Sequence, residues 1–280
     1  MLRDITLGQY YPAESAIHRL DPRVKLFGTL IYIISLFTAR GVPAFALAVL
    51  FLAAVIRISK VPFSYMVKGL KAIILIMVFA AVFNVLLTPG QELVSFWVFT
   101  ITYEGVKSAV MMMLRLVFLI IGTSLMTLTT TPNQLTDGLE KSLRPLQWIR
   151  VPVHEIAMMM SIALRFIPIL VEETDKIMKA QMARGANFEK GNLIQKAKNM
   201  IPLLVPLFVS AFRRANDLAM AMEARCYHGG QGRTKMKPLR YQKCDVIGYL
   251  VIALYFASMI ALRILWTSVL AEQLAGVLPL

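Results

Sequence analysis

The stretch VKSAVMMMLRLVFLIIGTSLMTL, residues 106–128, decides the fold class of this chain. It is long enough to cross a bilayer by itself, because the hydrocarbon core takes about 20 helical residues. Lys107 and Arg115 are its only charged residues. The stretch therefore predicts a membrane-spanning helix.

Four further apolar stretches lie on either side of it, at residues 26–38, 42–56, 72–87 and 246–262. These stretches are shorter, so their helices must extend into flanking residues, thin the bilayer locally or pack inside a larger assembly. Of the 280 residues, 58% are apolar and 16% are charged, which is too apolar for a soluble domain of this size. We therefore expect an all-α polytopic membrane protein with about five transmembrane helices.

The formal net charge of +14 raises the question of nucleic acid binding. The sequence has no basic patch interleaved with aromatic residues, and much of the positive charge lies beside apolar runs. The two cysteines, Cys226 and Cys244, lack metal or redox spacing, and His18, His154 and His228 are scattered. The sequence therefore predicts no nucleic acid partner, no metal site and no bound cofactor.

The distribution of charge predicts how the chain lies in the membrane. The segment between the second and third apolar stretches carries Arg57, Lys60, Lys68 and Lys71. The loop of residues 88–105, by contrast, carries glutamates and no Lys or Arg. The positive-inside rule then places the amino terminus in the cytoplasm and the carboxyl terminus outside. Charged residues before the first apolar run argue against a cleavable signal peptide, so insertion relies on the spans themselves.

A basic section separates the last apolar stretch from the others. Residues 129–243 hold 18 of the 30 basic residues against 9 of the 16 acidic ones, which indicates a cytoplasmic location. The sequence thus predicts three sections. Residues 1–128 carry about four spans, residues 129–243 form a cytoplasmic module, and residues 244–280 hold the last span and an outer tail.

The cytoplasmic module is predicted to consist of helices. A short helix covers residues 132–143, with Thr131 as its N-cap. Two long amphipathic helices, at about 153–184 and 192–225, carry apolar residues at steps of three or four. Proline removes a backbone hydrogen bond, so we expect both long helices to bend. Their interior prolines are Pro168, Pro202 and Pro206.

Both long helices end in the same short signal. Its two copies are Ala183-Arg184-Gly185 and Ala224-Arg225-Cys226, with the arginines 41 residues apart. An arginine at a helix C-terminus complements the negative end of the dipole and can fork onto carboxylates or carbonyls of a partner. A single such arginine is often only a solvated cap. The pairing and the matched context favour a coupling module with two docking sites.

Three motifs together resemble one family, the transmembrane T component of energy-coupling factor transporters, which includes the cobalt-transporter Q subunits. The motifs are HRLDPRVKL at residues 18–26, RFIPIL at residues 165–170, and the two arginine tips. Each motif is short, but their combination is specific. The resemblance covers nearly the whole chain.

The resemblance implies a membrane scaffold of a bacterial or archaeal cell membrane. In that family the scaffold joins two ATP-binding-cassette ATPases to a separate substrate-binding membrane subunit, for uptake of a vitamin or a metal ion. Each arginine motif inserts in a groove of one ATPase, which assigns that role to Arg184 and Arg225 with their neighbours. The chain itself is then no enzyme, and ATP hydrolysis takes place in the partners.

The second tip departs from the family pattern, since Cys226 stands where the first tip has Gly185. A residue with a Cβ adopts a left-handed helix end less easily than glycine. We expect Gly229 and Gly230 to shift that turn downstream, with the arginine itself left in place.

The methionine trio Met158, Met159 and Met160 lies in the first long helix. Methionine is unbranched and polarizable, so a surface made of it can repack against partners of different shape. The trio could therefore contact the substrate-binding subunit, of which one or several exchangeable kinds could bind. The alternative is that these residues only fill an irregular core.

Charged and polar groups near the spans bear on the remaining alternatives. Asp21-Pro22-Arg23 predicts a turn beside the membrane, because proline pushes the preceding residue out of helical geometry. A conventional permease that lines its own pathway would need inward-facing polar residues, and only Asn84 and Arg115 stand out. Arg115 fits a functional contact and a structural pair equally well. A membrane enzyme would need clustered His, Asp, Glu or Cys, which the sequence lacks.

Overall fold

A computed structural model describes residues 10–39, 41–96, 99–186, 188, 192–230, 236 and 238–277. The described chain is mainly helical, which confirms the predicted all-α class. The helices are α1 Ala16–Arg19, α2 Pro22–Thr38, α3 Gly41–Ser59, α4 Phe63–Leu87, α5 Tyr103–Thr129, α6 Pro132–Ser142, α7 Val153–Ala183, α8 Leu193–Ala224 and α9 Lys243–Val277, with a 3₁₀ helix at Arg144–Ile149.

The chain forms two compact units. We call residues 139–238 the central unit, and the described residues of 10–138 and 239–277 the terminal unit. Helix α6 crosses from the terminal unit into the central one, while α7 and α8 belong wholly to the central unit. The three predicted sections 1–128, 129–243 and 244–280 remain predictions, because their boundaries refer to the membrane.

Four described helices are long and apolar enough to cross a membrane: α3, α5, α7 and the Lys243–Thr267 part of α9. Helix α4 adds a fifth if its two parts, which meet at a bend of 61°, count as one span. This set differs from the five predicted stretches in two places. Helix α2 has 17 residues and is too short to be included, whereas α7 is included because residues 156–171 carry only one charge, Arg165.

The terminal unit is held together by apolar contacts of α2, α3, α5 and α9. The rings of Phe51 and Tyr255 stack with centroids 4.0 Å apart, and Tyr32 lies beside both. The Tyr32 hydroxyl donates to the carbonyl oxygen of Phe118 at 3.2 Å, and the hydroxyls of Ser35 and Tyr255 are 3.0 Å apart. These bonds satisfy polar groups that burial would otherwise penalise.

The predicted turn at Asp21 is confirmed as the start of α2. The Asp21 side chain accepts from the Arg23 amide at 2.9 Å, and Pro22 occupies the first helical position, where its missing N–H costs nothing. The Asp21 amide donates at 2.7 Å to Asp245, which belongs to α9 and is buried. The Lys25 ammonium donates at 2.8 Å to the Thr129 carbonyl oxygen. The motif therefore ties the ends of three helices together.

The segment of residues 88–105 and the side chain of Arg115 both lie in the terminal unit. Residues 88–105, predicted as a loop, contain an antiparallel hairpin of β1 Glu92–Phe96 and β2 Phe99–Thr102. Arg115 donates at 3.3 Å to the carbonyl oxygen of Ala39, the residue that caps α2, and its guanidinium lies 5.7 Å from the Phe45 ring. This geometry favours the structural interpretation of Arg115.

Candidate coupling site on two helices

Helices α7 and α8 pack against each other within the central unit. Both run through their interior prolines as single helices, and the observed bounds agree with the predicted ranges to within one residue. The short helix α6 also agrees. Its predicted cap is present, because Thr131 Oγ1 accepts from the Gln134 amide while Gln134 Oε1 accepts from the Thr131 amide, at 3.3 and 3.2 Å.

A polar link joins the two long helices. The Glu173 carboxylate of α7 accepts from the Arg214 guanidinium of α8 at 2.7 Å, and its other oxygen accepts from the Ser210 hydroxyl. The link is half-buried, with 39% of the Arg214 side chain and 21% of the Glu173 side chain exposed. Partial desolvation makes such a charge-assisted contact more directional than an ion pair in open water.

The link occupies equivalent positions of the two helices. Glu173 and Arg214 are 41 residues apart, the same separation as Arg184 and Arg225. Each member of the pair therefore precedes its own arginine tip by the same eleven residues. At 1.5 Å per helical residue, each arm from the link to the tip is about 16 Å long.

Both tips have the same backbone geometry. The arginines are the C-cap residues, with φ and ψ of −87° and 6° for Arg184 and −93° and 14° for Arg225. The next residue is left-handed in both, with φ of 90° at Gly185 and 55° at Cys226. This arrangement is a Schellman motif, which satisfies carbonyls at the helix end that would otherwise be unpaired.

The hydrogen bonds of the two motifs match one for one. In the first tip the amides of Gly185 and Ala186 donate to the carbonyl oxygens three and five residues before them, those of Met182 and Gln181, both at 3.0 Å. In the second tip the amides of Cys226 and Tyr227 do the same at 2.8 and 3.0 Å. The two copies of the signal therefore form one structure twice.

The expectation that Gly229 and Gly230 would move the second turn downstream is wrong, because Cys226 itself is left-handed. A left-handed conformation costs a residue with a Cβ about 1–2 kcal/mol, and the two Schellman hydrogen bonds offset this cost. His228 Nδ1 also donates to the Cys226 carbonyl oxygen at 2.9 Å. The backbone hydrogen bonds thus overrule the glycine preference.

The tip side chains are free to meet a partner. Ala183, Arg184 and Gly185 are exposed, and so are Ala224, Arg225 and Cys226. Among the described residues, neither tip guanidinium has a hydrogen-bond or ion-pair partner. A Cβ built on Gly185 meets nothing within 4 Å, so the backbone angle rather than space favours glycine there.

The methionine trio lies in the same helix as the first tip but in its other half. Met159 and Met160 are 57% and 41% exposed, whereas Met158 is half-buried. Two of the three side chains therefore do not fill the core of this chain. The structure does not bring the trio and the arginine tips together into one site.

The Glu173–Arg214 link was not among the residues singled out from the sequence. The sequence does contain a signal for it, because shifting Glu173 by the spacing of the tips leads to Arg214. Opposite charges at equivalent positions of two repeated helices suggest a contact where the helices cross. The acidic neighbours Glu172 and Asp175 hide this signal, since each also forms a favourable pair with a lysine one turn later.

Groups that would support the alternative functions are engaged elsewhere or scattered. Asn84 contacts Met112 and Thr88 within the terminal unit, and Arg115 is held at Ala39. Within the described ranges, no group of three or more His, Cys, Asp or Glu side chains is placed to hold a metal ion.

Comparisons with known proteins agree with this architecture. The family model CbiQ, described as cobalt transport protein, matches residues 13–236. The chain is 56% identical over 268 residues to the energy-coupling factor transporter transmembrane protein EcfT of Clostridium kluyveri, covering 95% of this chain and 99% of the relative. The proteins of the same name from Bacillus subtilis and Lactococcus lactis are 47% and 44% identical, over 90% and 96% of this chain and 97% and 100% of the relatives.

These matches extend over both units and include both arginine tips, and they confirm the resemblance seen in the short motifs. The chain therefore belongs to the cobalt transport protein family and is the multi-pass transmembrane component of an energy-coupling factor transporter in the cell membrane.

Proposed function

We propose that this chain is the coupling scaffold between two ATP-binding-cassette ATPases and a separate substrate-binding membrane subunit. Arg184 docks in a groove of one ATPase and Arg225 in a groove of the other. The observation that carries the proposal is the geometry of the tips: two exposed arginines in the same Schellman motif, at equal distances from one ion pair.

The chemistry of the tips suits docking into a groove. A helix C-terminus carries partial negative charge, so a cationic side chain beside it is favourable and remains charged when it is desolvated. The planar guanidinium can bond two acceptors at once, which a lysine ammonium cannot do with the same direction. Small neighbours such as Ala183 and Ala224 let the helix end enter a narrow groove.

The equal arms suggest how motion is transmitted. When the two ATPases approach each other around ATP, both tips are drawn together. The Glu173–Arg214 link holds the two helices at one point, so displacement of the tips rotates the helices about it. The opposite halves of α7 and α8 then move, including an exposed apolar face of α8 formed by Leu204, Val205, Phe208 and Phe212.

The substrate-binding subunit is the proposed receiver of this motion. Met159 and Met160 are exposed on the half of α7 that lies before the link. Their flexible side chains fit a surface that accepts one subunit or several exchangeable ones. Because that subunit recognises the vitamin or metal ion, this chain needs no substrate site, and ATP hydrolysis belongs to the two ATPases.

The proposed orientation places the amino terminus and the tips in the cytoplasm and the carboxyl terminus outside. Arg57 and Lys60 at the end of α3, Lys68 and Lys71 in the first turns of α4, and the basic residues of the central unit support it. ATP is available only on that side, as the docking of ATPases requires.

Purification of the tagged chain from its own membranes in mild detergent tests the whole proposal. Two ATPase subunits and one small membrane protein for each scaffold chain are expected. A preparation of this chain alone that still transports substrate in vesicles would support a permease and contradict the scaffold function.

A further inference from the structure

The 3₁₀ helix between α6 and α7 carries large apolar side chains that are exposed on the protein surface. We call residues 143–150 the Trp148 segment. Trp148 is 93% exposed and Ile149 is 78% exposed, and Leu143 and Leu146 are exposed as well. Single exposed apolar residues are common on protein surfaces, but four within eight residues form a patch that indicates a binding surface.

The shape of the segment is set by its own backbone. The Leu146 amide donates to the Leu143 carbonyl oxygen at 2.9 Å, and the Arg150 amide donates to Gln147 at 3.0 Å. Arg150 is left-handed, with φ of 62°, and so ends the 3₁₀ helix and turns the chain toward α7. The apolar side chains are thus displayed by an ordered turn.

The charged residues within the stretch that carries this patch are all positive. Lys141, Arg144 and Arg150 fall within residues 141–150, which contain no acidic residue. Arg144 and Arg150 are exposed. The nearest preceding acid, Glu140, lies 3.1 Å from His154 and is turned to that side chain. An apolar patch bordered by cations suits an anionic surface.

We propose that the Trp148 segment binds the anionic lipid headgroups of the cytoplasmic leaflet. Trp148 and Ile149 enter the boundary between headgroups and acyl chains, where the amphipathic indole ring is most stable. Arg144 and Arg150 contact the lipid phosphates as charge-assisted donors. The assignment to the cytoplasmic leaflet rests on the proposed orientation of the chain, whereas the contact with lipid is independent of that orientation.

The position of the segment in the chain supports a lipid surface. Helix α5, long and apolar enough to cross the membrane, ends at Thr129, only fifteen residues before Arg144. A membrane contact here would hold the first residues of α7 at the bilayer while its far end carries Arg184. Motion of the tip would then be transmitted along α7 instead of displacing the whole helix.

Tryptophan fluorescence of the full-length chain in vesicles tests the contact. The chain has three tryptophans, so Trp97→Phe with Trp266→Phe leaves Trp148 as the only emitter. Emission is measured with brominated phosphatidylcholine as the lipid quencher and iodide as the aqueous quencher. Vesicles of phosphatidylcholine alone are compared with vesicles that hold about one third phosphatidylglycerol.

Two reporters in a chain without native tryptophan provide matched references. Met236→Trp reports an exposed site of the central unit, since Met236 is 98% exposed, and Leu75→Trp reports an exposed site of α4, since Leu75 is 80% exposed. We expect Trp148 to resemble the α4 reporter, with blue-shifted emission, quenching by brominated lipid and little quenching by iodide. Lipid quenching should increase with phosphatidylglycerol, and Arg144→Gln with Arg150→Asn should remove this increase.

Two results would overturn the proposal. Emission like that of the Met236→Trp reporter would show that Trp148 lies in water. Quenching by neither agent would show that protein covers it. The difference between wild type and Trp148→Phe gives the same quantity in a chain that keeps its other tryptophans. Because these vesicles contain no ATPase, the outcome is independent of whether the arginine tips dock as proposed.

Discussion

Glu173 of α7 and Arg214 of α8 form an ion pair at 2.7 Å, and each stands eleven residues before the arginine that ends its own helix. The contact thus joins equivalent positions of two repeated helices. A pivot at that point gives the two tips arms of equal length, about 16 Å by the rise of an α-helix. Two identical ATPases, or two similar ones, would then drive the scaffold symmetrically.

The first prediction concerns the tips. Arg184→Ala or Arg225→Ala should weaken ATPase docking, and the double change should abolish uptake. Loss of a desolvated guanidinium leaves acceptors unpaired in the groove and costs about 2–5 kcal/mol, on the order of 30-fold or more in affinity. Lysine should rescue poorly. Co-purification of the ATPases and substrate uptake measure the effect.

Arg213→Ala is the matched control, because Arg213 is an exposed arginine of α8 away from the tip. Its level in the membrane and its ATPase content should equal those of the wild type. If the double alanine variant of the tips retained normal ATPase content and uptake, the tips would not be the docking sites.

The second prediction concerns the pivot. Glu173→Gln and Arg214→Gln should each lower the amount of substrate transported per ATP hydrolysed, with ATPase binding retained. The exchange Glu173→Arg with Arg214→Glu should restore part of the loss, because the pair re-forms with the charges reversed. A double-mutant cycle should give a coupling energy of about 1 kcal/mol for this half-exposed pair.

Glu172→Gln provides the control for the pivot, since Glu172 is the exposed neighbour of Glu173. It removes the same charge without touching α8 and should leave the transport ratio unchanged. If the Glu172 and Glu173 changes lowered the transport ratio equally, the loss would come from the removed charge in general and not from the Glu173–Arg214 ion pair.

The third prediction uses the difference between the two helix ends. Gly185→Ala should destabilise the first tip, because φ of 90° is strained for a residue with a Cβ. Cys226→Gly should relieve strain at the second tip, where φ is 55°. The change at each site should be on the order of 1 kcal/mol and opposite in sign.

Thermal unfolding in detergent and ATPase co-purification check these two variants side by side. If Cys226→Gly weakened ATPase binding with stability unchanged, the Cys226 side chain itself would contact the partner.

The fourth prediction concerns the exposed methionines. Replacing Met158, Met159 and Met160 with leucine should keep the two ATPases bound and narrow the range of substrate-binding subunits accepted. Leucine has similar volume but fewer rotatable bonds, so it adapts less well to different surfaces. Pull-downs against a panel of such subunits measure the range. Equal recovery of every subunit would mean that the trio only packs within the scaffold.

The fifth prediction concerns orientation. Gln91→Cys, in a chain whose Cys226 and Cys244 are replaced by serine, should react with a membrane-impermeant reagent from outside the cell. Gln91 is exposed and begins the segment that contains the hairpin. Labelling only from the cytoplasmic face would reverse the proposed topology.

The sequence by itself determined the helices and the class of protein. Helix α5 follows from an apolar run long enough to span a bilayer, and α7 and α8 follow from periodic apolar residues that end at the arginine signals. These features are local, since a helix satisfies its own backbone and its amphipathic pattern repeats within a few residues. The same local logic led to Thr131 as the N-cap of α6.

The tertiary structure alone decided which distant groups meet. Asp245 reaches the start of α2 from the other end of the chain, and Glu173 pairs with Arg214 while the adjacent Arg213 is exposed. Cys226 is left-handed because backbone hydrogen bonds outweigh the intrinsic preference of its residue type. Such contacts depend on the angles and distances between packed helices, which a linear pattern of residues does not contain.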